Sequence, residues 1–262
     1  MSSSTFPGFG TGHRREPKTR LVIAIDFGTT FTGVAYAYSS VESLKGSSLN
    51  PEQIRDKITV IKNWPNALQF YSEKASTTLA YEDGKLIAWG GKVKASHTTI
   101  VSYFKLGLQP EAIKHYQGSV KSPDSSSLGG FLNDSNWKHP NLPNKEPVDL
   151  AADYLKEIRD YVLKEALPKD FGESFLSNQS FKYVLTVPAI WSDKAKDLTK
   201  KAAVRAGIPG DDLELITEPE AAALYCSTLC HEADLKNGDR FLVCDAGGGT
   251  VVTYSRPVGK LI

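Results

Sequence analysis

Two stretches of the sequence, LVIAIDFGTT at residues 21–30 and FLVCDAGGGT at residues 241–250, follow one pattern. In each, an apolar run rich in β-branched residues predicts a buried strand, an aspartate ends the strand, and glycine and threonine form a tight turn. Backbone N–H groups in such turns make a concavity that suits phosphate oxygens. Because Asp26 and Asp245 would repel a polyphosphate without a divalent cation between them, they predict a magnesium nucleotide as the ligand.

Composition restricts the class of protein. The 262 residues are 40% hydrophobic and 23% charged, which is typical of one large or two ordinary folded domains. A net charge of +1 gives no electrostatic reason to expect a nucleic-acid or membrane partner. The N-terminus lacks the apolar core of a secretion signal, no apolar run reaches the roughly 18 residues of a membrane span, and three cysteines are too few for a disulfide framework. We therefore expect a cytoplasmic protein, with the nucleus as the other candidate compartment.

The first half of the chain predicts a short tail, a hairpin and a smaller subdomain. Residues 1–20 are polar and charged, which predicts a disordered tail, and residues 21–40 predict two strands joined at the Gly28–Thr30 corner. Within 41–147 the runs ITVIKNW and KLIAWGG predict strands, and HTTIVSYFKLGL predicts a helix. Residues 119–147, rich in Ser, Pro, Asn and Gly, predict a loop.

From Val148 onward the pattern predicts alternating helices and strands. Apolar residues at helical spacing predict a helix between Pro147 and Pro168, and FKYVLTVPAIW predicts a buried strand that ends at Pro188. Ser192 is placed to cap the next helix, which Gly207 ends. LELIT then predicts a strand, and Glu218-Pro219-Glu220 predicts the start of a further helix.

Four segments together resemble the heat shock protein 70 family, which shares a superfamily with actin and the sugar kinases. They are AIDFGTTFTGVAY, YVLTVPAIWSDKAKDLTKKAAVRAGI, LITEPEAAALYC and LVCDAGGGTV. D-x-G-T-T also occurs in sugar kinases, whereas TVPA followed about thirty residues later by EPEAAAL is specific to the chaperone branch. The long insert and the FKLGL segment resemble the divergent twelve-type branch of this family.

This resemblance implies an α/β, actin-like ATPase fold of the ribonuclease H-like class, with ATP and Mg²⁺ between two lobes. Residues 21–235 would form the complete first lobe, with an outer subdomain at about 41–147. Residues 236–262 would form only the opening hairpin of the second lobe, so the chain is expected to be truncated after its second phosphate loop.

The resemblance also implies roles for individual residues. Asp26 and Asp245 would hold Mg²⁺ mainly through waters, and Lys92, Glu218 and Asp245 would be catalytic. Two glycine-threonine turns would bind the β- and γ-phosphates; the residues are Gly28, Thr29, Thr30, Gly247, Gly248, Gly249 and Thr250.

The same residues also have simpler interpretations. Asp26 and Asp245 can be turn-forming aspartates, and the glycine turns can be plain hairpins. Lys92 can be a surface lysine, and a glutamate before proline at a helix start is an ordinary cap-region residue.

The predicted function is that of an ATP-binding, heat-shock-protein-70-like chaperone ATPase domain, as a fragment with impaired hydrolysis. Val252 supports the impairment, because the family has an acidic residue at that position. The alternative is a non-enzymatic, truncated lobe that acts as an interaction module. A phosphotransferase of the sugar-kinase type is a third possibility, but it does not account for TVPA or EPEAAAL. Co-chaperones and unfolded polypeptide are the partners implied for a full-length relative.

Overall fold

The computed structural model describes residues 19–40, 57–66, 73–109, 139, 141–229, 240–246 and 251–257. Residues 1–18 of the predicted tail and the second phosphate turn, Gly247 to Thr250, lie outside these residues. So do the side chain of Asp245 and most of the predicted loop at 119–147. Thr19 and Arg20, by contrast, belong to the first strand and not to a tail.

A six-stranded mixed sheet forms the centre of the described chain. Its strands are β1 (Thr19–Phe27), β2 (Phe31–Ser40), β3 (Ile58–Val60), β4 (Lys74–Ser76), β8 (Ser180–Val187) and β9 (Leu213–Thr217). The order is β3-β2-β1-β8-β9, and β4 also pairs with β2. The predicted 21–40 hairpin is confirmed, because β1 and β2 pair antiparallel from Thr19 opposite Ser40 to Phe27 opposite Thr32.

Two smaller sheets accompany the main one. β5 (Thr78–Glu82) lies between β6 (Lys85–Trp89) and β7 (Thr99–Ser102), and β10 (Arg240–Ala246) pairs with β11 (Val251–Pro257). The predicted helix over HTTIVSYFKLGL is wrong in its first half, which is β7. Only its second half is helical, as a 3-10 turn over Phe104–Leu108. Thr99, Ile100 and Val101 carry branched β-carbons that suit a strand, and β7 pairs with β5.

The helices are α1 (Pro147–Tyr161), α2 (Leu167–Phe171), α3 (Glu173–Leu176), α4 (Asp193–Arg205) and α5 (Glu218–Leu229), with short 3-10 turns at Gly90–Lys92 and Gly210–Asp212. The predicted helix between Pro147 and Pro168 is confirmed as α1, but the helical path continues beyond Pro168. A π-helical turn at Val162–Ala166 joins α1 to α2, and Pro168 lies in the first turn of α2, where a missing N–H costs little.

Helix α4 begins and ends as its sequence predicts. The Ser192 hydroxyl accepts a hydrogen bond from the Ala195 N–H at 3.3 Å, and Gly207 takes the left-handed conformation after the last turn, with φ of +87°. The core between the main sheet and α1 includes an aromatic group in which Phe27 stacks on Tyr154 and Phe104 packs against both. Among the described residues, no helix has the length and apolarity to cross a membrane.

Candidate functional site

The carboxyl ends of three parallel strands define the candidate site. β1 pairs parallel with β8, and β8 pairs parallel with β9, so Asp26, Thr186 and Thr217 all lie at or near one edge of the main sheet. Ligands of open α/β sheets bind at this edge, because the loops that leave the strands surround a crevice there. Strand register therefore brings together segments that are far apart in the sequence.

Asp26 lies near the end of β1 and is held by two neighbours. Its Oδ1 accepts a hydrogen bond from Thr186 Oγ1 at 3.0 Å, and its Oδ2 accepts one from Lys74 Nζ at 2.8 Å. The Asp26 side chain is 44% exposed, so a ligand can reach the carboxylate from solvent.

The turn after β1 is tight enough to require glycine. A β-carbon added at Gly28 would lie 2.1 Å from the carbonyl oxygen of Phe31, a distance that no side chain accommodates. Thr77 closes the turn from the other side, because its hydroxyl donates to Gly28 O at 3.0 Å and its N–H donates to Thr30 O at 2.8 Å. Gly28, Thr29 and Thr30 thus form a fixed turn directly beside Asp26.

Glu218, at the start of α5, forms a largely buried ion pair. Its Oε1 accepts a hydrogen bond from Lys105 Nζ at 2.7 Å, and the two side chains are only 15% and 3% exposed. The Lys105 ammonium also lies 5.5 Å from the ring centroid of Phe27 and 5.4 Å from that of Trp191. The pair therefore connects the end of β1, the segment after β8 and the start of α5.

The start of α5 is fixed by a capping box around Thr217. Glu220 Oε2 accepts hydrogen bonds from the Thr217 hydroxyl at 2.7 Å and the Thr217 N–H at 3.3 Å, while the Glu220 N–H donates to Thr217 Oγ1 at 3.4 Å. Capping is thus done by Thr217 and Glu220. The carboxylate of Glu218, which the sequence could also explain as a cap residue, is turned toward Lys105 instead.

The segment that carries Lys105 is fixed at both ends. Tyr103 precedes it in the left-handed region, with φ of 61°, which is uncommon outside glycine and asparagine. At the other end, Gln109 Oε1 accepts a hydrogen bond from Ser192 Oγ at 2.6 Å. This bond ties the 3-10 turn to the residue that caps α4.

Lys92 is not part of this group. It ends the 3-10 turn Gly90–Lys92, its side chain is exposed, and its ammonium lies 5.8 Å from the ring centroid of Trp89. Among the described residues, neither a hydrogen bond nor an ion pair joins Lys92 to Asp26 or Glu218. The sequence-predicted role of Lys92 stays a prediction.

The second aspartate turn is described only in part. β10 and β11 form an antiparallel pair, as predicted, and the register sets Asp245 opposite Val252. The turn between them, Gly247 to Thr250, lies outside the described residues, so its predicted phosphate contacts stay predictions.

The donors at the sheet edge fit a magnesium nucleotide better than a protein-only metal site. No group of three or more Asp, Glu, His or Cys side chains converges among the described residues. Mg²⁺ commonly binds through one or two carboxylates, waters and phosphate oxygens, and Asp26 supplies one such carboxylate beside a turn rich in N–H groups.

Sequence comparison relates the chain to the heat shock protein 70 family. Heat shock 70 kDa protein 12A of Mus musculus is 29% identical over 216 residues, which are 80% of this chain and 29% of that protein. A chaperone protein HscA homolog of Acinetobacter baumannii is 28% identical over 251 residues, covering 93% of this chain and 34% of the relative. Human heat shock 70 kDa protein 12B is 24% identical over 292 residues, which cover 88% of this chain and 39% of that protein.

These relatives confirm the family relationship that the four sequence segments predicted. The chain spans about a third of the length of the curated relatives that it matches. No protein-family model matches it.

Sequence reasoning missed three residues that contact the predicted acids. Lys74, Lys105 and Thr186 reach their partners across 48, 113 and 160 positions, so no local spacing reveals them. For Lys105 one signal was available, since it is the one charged residue in the run YFKLGL.

Proposed function

We propose that this chain is a nucleotide-binding part of a heat-shock-protein-70-type ATPase, with the phosphates and Mg²⁺ of ATP at the carboxyl edge of the main sheet. The observation that carries the proposal is the half-exposed Asp26 carboxylate beside a turn in which Gly28 leaves no room for a β-carbon. Chaperone names among the relatives support the same assignment.

Each residue of the site has a distinct part in this proposal. Asp26 orients the waters of the cation, and Thr186 fixes the rotamer of Asp26. The N–H groups and hydroxyls of Thr29 and Thr30 face the phosphates, whereas the Gly28 N–H donates to Asp26 O at 3.1 Å and so shapes the turn. The bound cation supplies electrostatic stabilisation where negative charge develops on the transferred phosphoryl group.

In this proposal the Glu218 carboxylate orients the water shell of the bound cation. Lys105 holds the Glu218 carboxylate in one position through a hydrogen bond of 2.7 Å. Lys92 and Asp245 complete the proposed catalytic set, as the resemblance implies.

The two-lobe organisation belongs to the proposal as well. Residues 21–235 would form the first actin-like lobe, 41–147 its outer subdomain, and 236–262 the first hairpin of the second lobe. The main sheet, its parallel β1-β8-β9 core and the separate β10-β11 hairpin support this division.

Calorimetric titration with Mg·ATP tests the proposal on the wild-type chain and the Asp26→Asn variant. Binding by the wild type that the variant weakens at least tenfold supports it. Equal binding by both proteins, or none by the wild type, refutes it. Lys62→Gln serves as the control, because Lys62 pairs with Glu73 and not with Asp26.

A second candidate is a non-enzymatic lobe that binds a protein partner. The backbone register pairs Asp245 with Val252, at the position where the family has an acidic residue. Magnesium-dependent ATP hydrolysis that Asp26→Asn abolishes would exclude this candidate.

A further inference from the structure

The Asp26 carboxylate already has a positively charged partner within the chain, the ammonium of Lys74. Lys74 Nζ lies 2.8 Å from Asp26 Oδ2, on the carboxylate oxygen that Thr186 leaves open. Both carboxylate oxygens therefore have partners in the protein, and the ammonium stands beside the group proposed to hold the cation.

Strand register explains how Lys74 reaches Asp26 across an intervening strand. Asp26 of β1 lies opposite Gly33 of β2, and Gly33 lies opposite Lys74 of β4. A β-carbon added at Gly33 would lie 3.5 Å from Cγ and Cε of Lys74, so the lysine stem lies directly over the glycine. The missing side chain at Gly33 gives Lys74 a clear path along the sheet face.

We propose that Lys74 is the resident counter-ion of Asp26, and that a divalent cation binds there only by displacing its ammonium. This inference rests on the proposed function for the metal involved. A lysine ammonium and a hydrated cation repel each other within a few ångströms. The Asp26 carboxylate oxygen therefore binds each of them more weakly when the other is present. Lys74 thus raises the Mg²⁺ concentration at which half of the sites are occupied.

The exposure of the pair limits the size of this effect. The side chains of Lys74 and Asp26 are 52% and 44% exposed, and exposed ion pairs contribute little because water screens them. Removing the lysine charge is therefore expected to tighten metal binding by about twofold to fivefold.

Binding of Mn²⁺ alone tests the inference without nucleotide. Electron paramagnetic resonance measures the concentration of unbound Mn²⁺ at each point of the titration. The proteins are the full wild-type chain, Lys74→Gln, Lys74→Arg, Lys62→Gln and the Lys74→Gln/Asp26→Asn double variant. Glutamine keeps most of the stem over Gly33, whereas arginine keeps the charge. Lys62 is the matched control, since it is 49% exposed and pairs with Glu73 at 2.8 Å.

The expected result is tighter Mn²⁺ binding by Lys74→Gln only, with loss of that gain when Asp26→Asn is added. Equal affinity of Lys74→Gln and wild type overturns the inference, and so does a Lys74→Gln variant that binds no Mn²⁺. A parallel titration with ADP keeps the two proposals apart. Absent ADP binding refutes the nucleotide site while the Mn²⁺ series still decides the role of Lys74.

Discussion

The ammonium of Lys105 lies 2.7 Å from the carboxylate of Glu218, although the two residues are 113 positions apart in the sequence. Both side chains are largely withdrawn from water, and the aromatic rings of Phe27 and Trp191 lie beside the ammonium. Each charge is therefore stabilised mainly by the other, because little water reaches either group to solvate it.

Lys105→Met is expected to lower the free energy of unfolding by about 3–5 kcal/mol, since it leaves the Glu218 carboxylate buried without a counter-charge. Urea denaturation measures the loss. The double variant Lys105→Met/Glu218→Gln should recover at least half of it, because no uncompensated charge remains. Lys92→Met is the control and should change stability by no more than about 0.5 kcal/mol. Similar losses at positions 105 and 92 would contradict the prediction.

Thr186→Val is expected to weaken Mg·ADP binding by about threefold to tenfold, because Asp26 loses the hydrogen bond that fixes its orientation. The substitution preserves the shape of the side chain, and calorimetry measures the affinity. Thr186→Ser keeps a hydroxyl and should bind like the wild type. Unchanged affinity of the valine variant would show that Thr186 does not position Asp26.

Gly28→Ala is expected to lower the free energy of unfolding by more than about 2 kcal/mol and to abolish nucleotide binding, since its β-carbon would overlap the Phe31 carbonyl. Gly210→Ala is the matched control. There the new β-carbon would meet only Val204 Cγ2 at 3.6 Å, an ordinary contact. Denaturant unfolding compares the two, and a well-tolerated Gly28→Ala would mean that the turn has room to relax.

Tyr36 should make stability depend on pH under alkaline conditions. Burial and the hydrogen bond to the Asp170 carboxylate raise the pKa of Tyr36 from 10.0 to about 12. The folded state thus favours the neutral phenol, and this stabilisation is full below pH 10 and is lost as pH rises toward 12. Urea unfolding of wild type and Tyr36→Phe from pH 9 to 12 should show their stability difference shrinking over that interval. A constant difference would contradict the prediction.

The sequence predicted elements that depend on neighbours along the chain. The 21–40 hairpin follows from two apolar runs around Gly28, and α4 follows from Ser192 and Gly207 at its ends. The continuation of the helical path past Pro168 was not predicted, because it depends on a π-helical turn that places this proline where a helix tolerates it. Strand pairing fixes the Lys74–Asp26 contact, and the position of the 3-10 turn fixes the Lys105–Glu218 contact, so neither was visible from spacing.

The parallel pairing of β1 with β8 has a consequence for how the chain folds. Asp26 and Thr186 are 160 residues apart, and closing a loop of that length costs roughly 4–5 kcal/mol in chain entropy beyond a constant. β1 and β2 can form a hairpin early during synthesis, but Asp26 gains its Thr186 partner only after the ribosome has released β8. The sheet edge at Asp26 is therefore completed late in folding, and a nascent chain that ends before residue 180 lacks the β8 side of it.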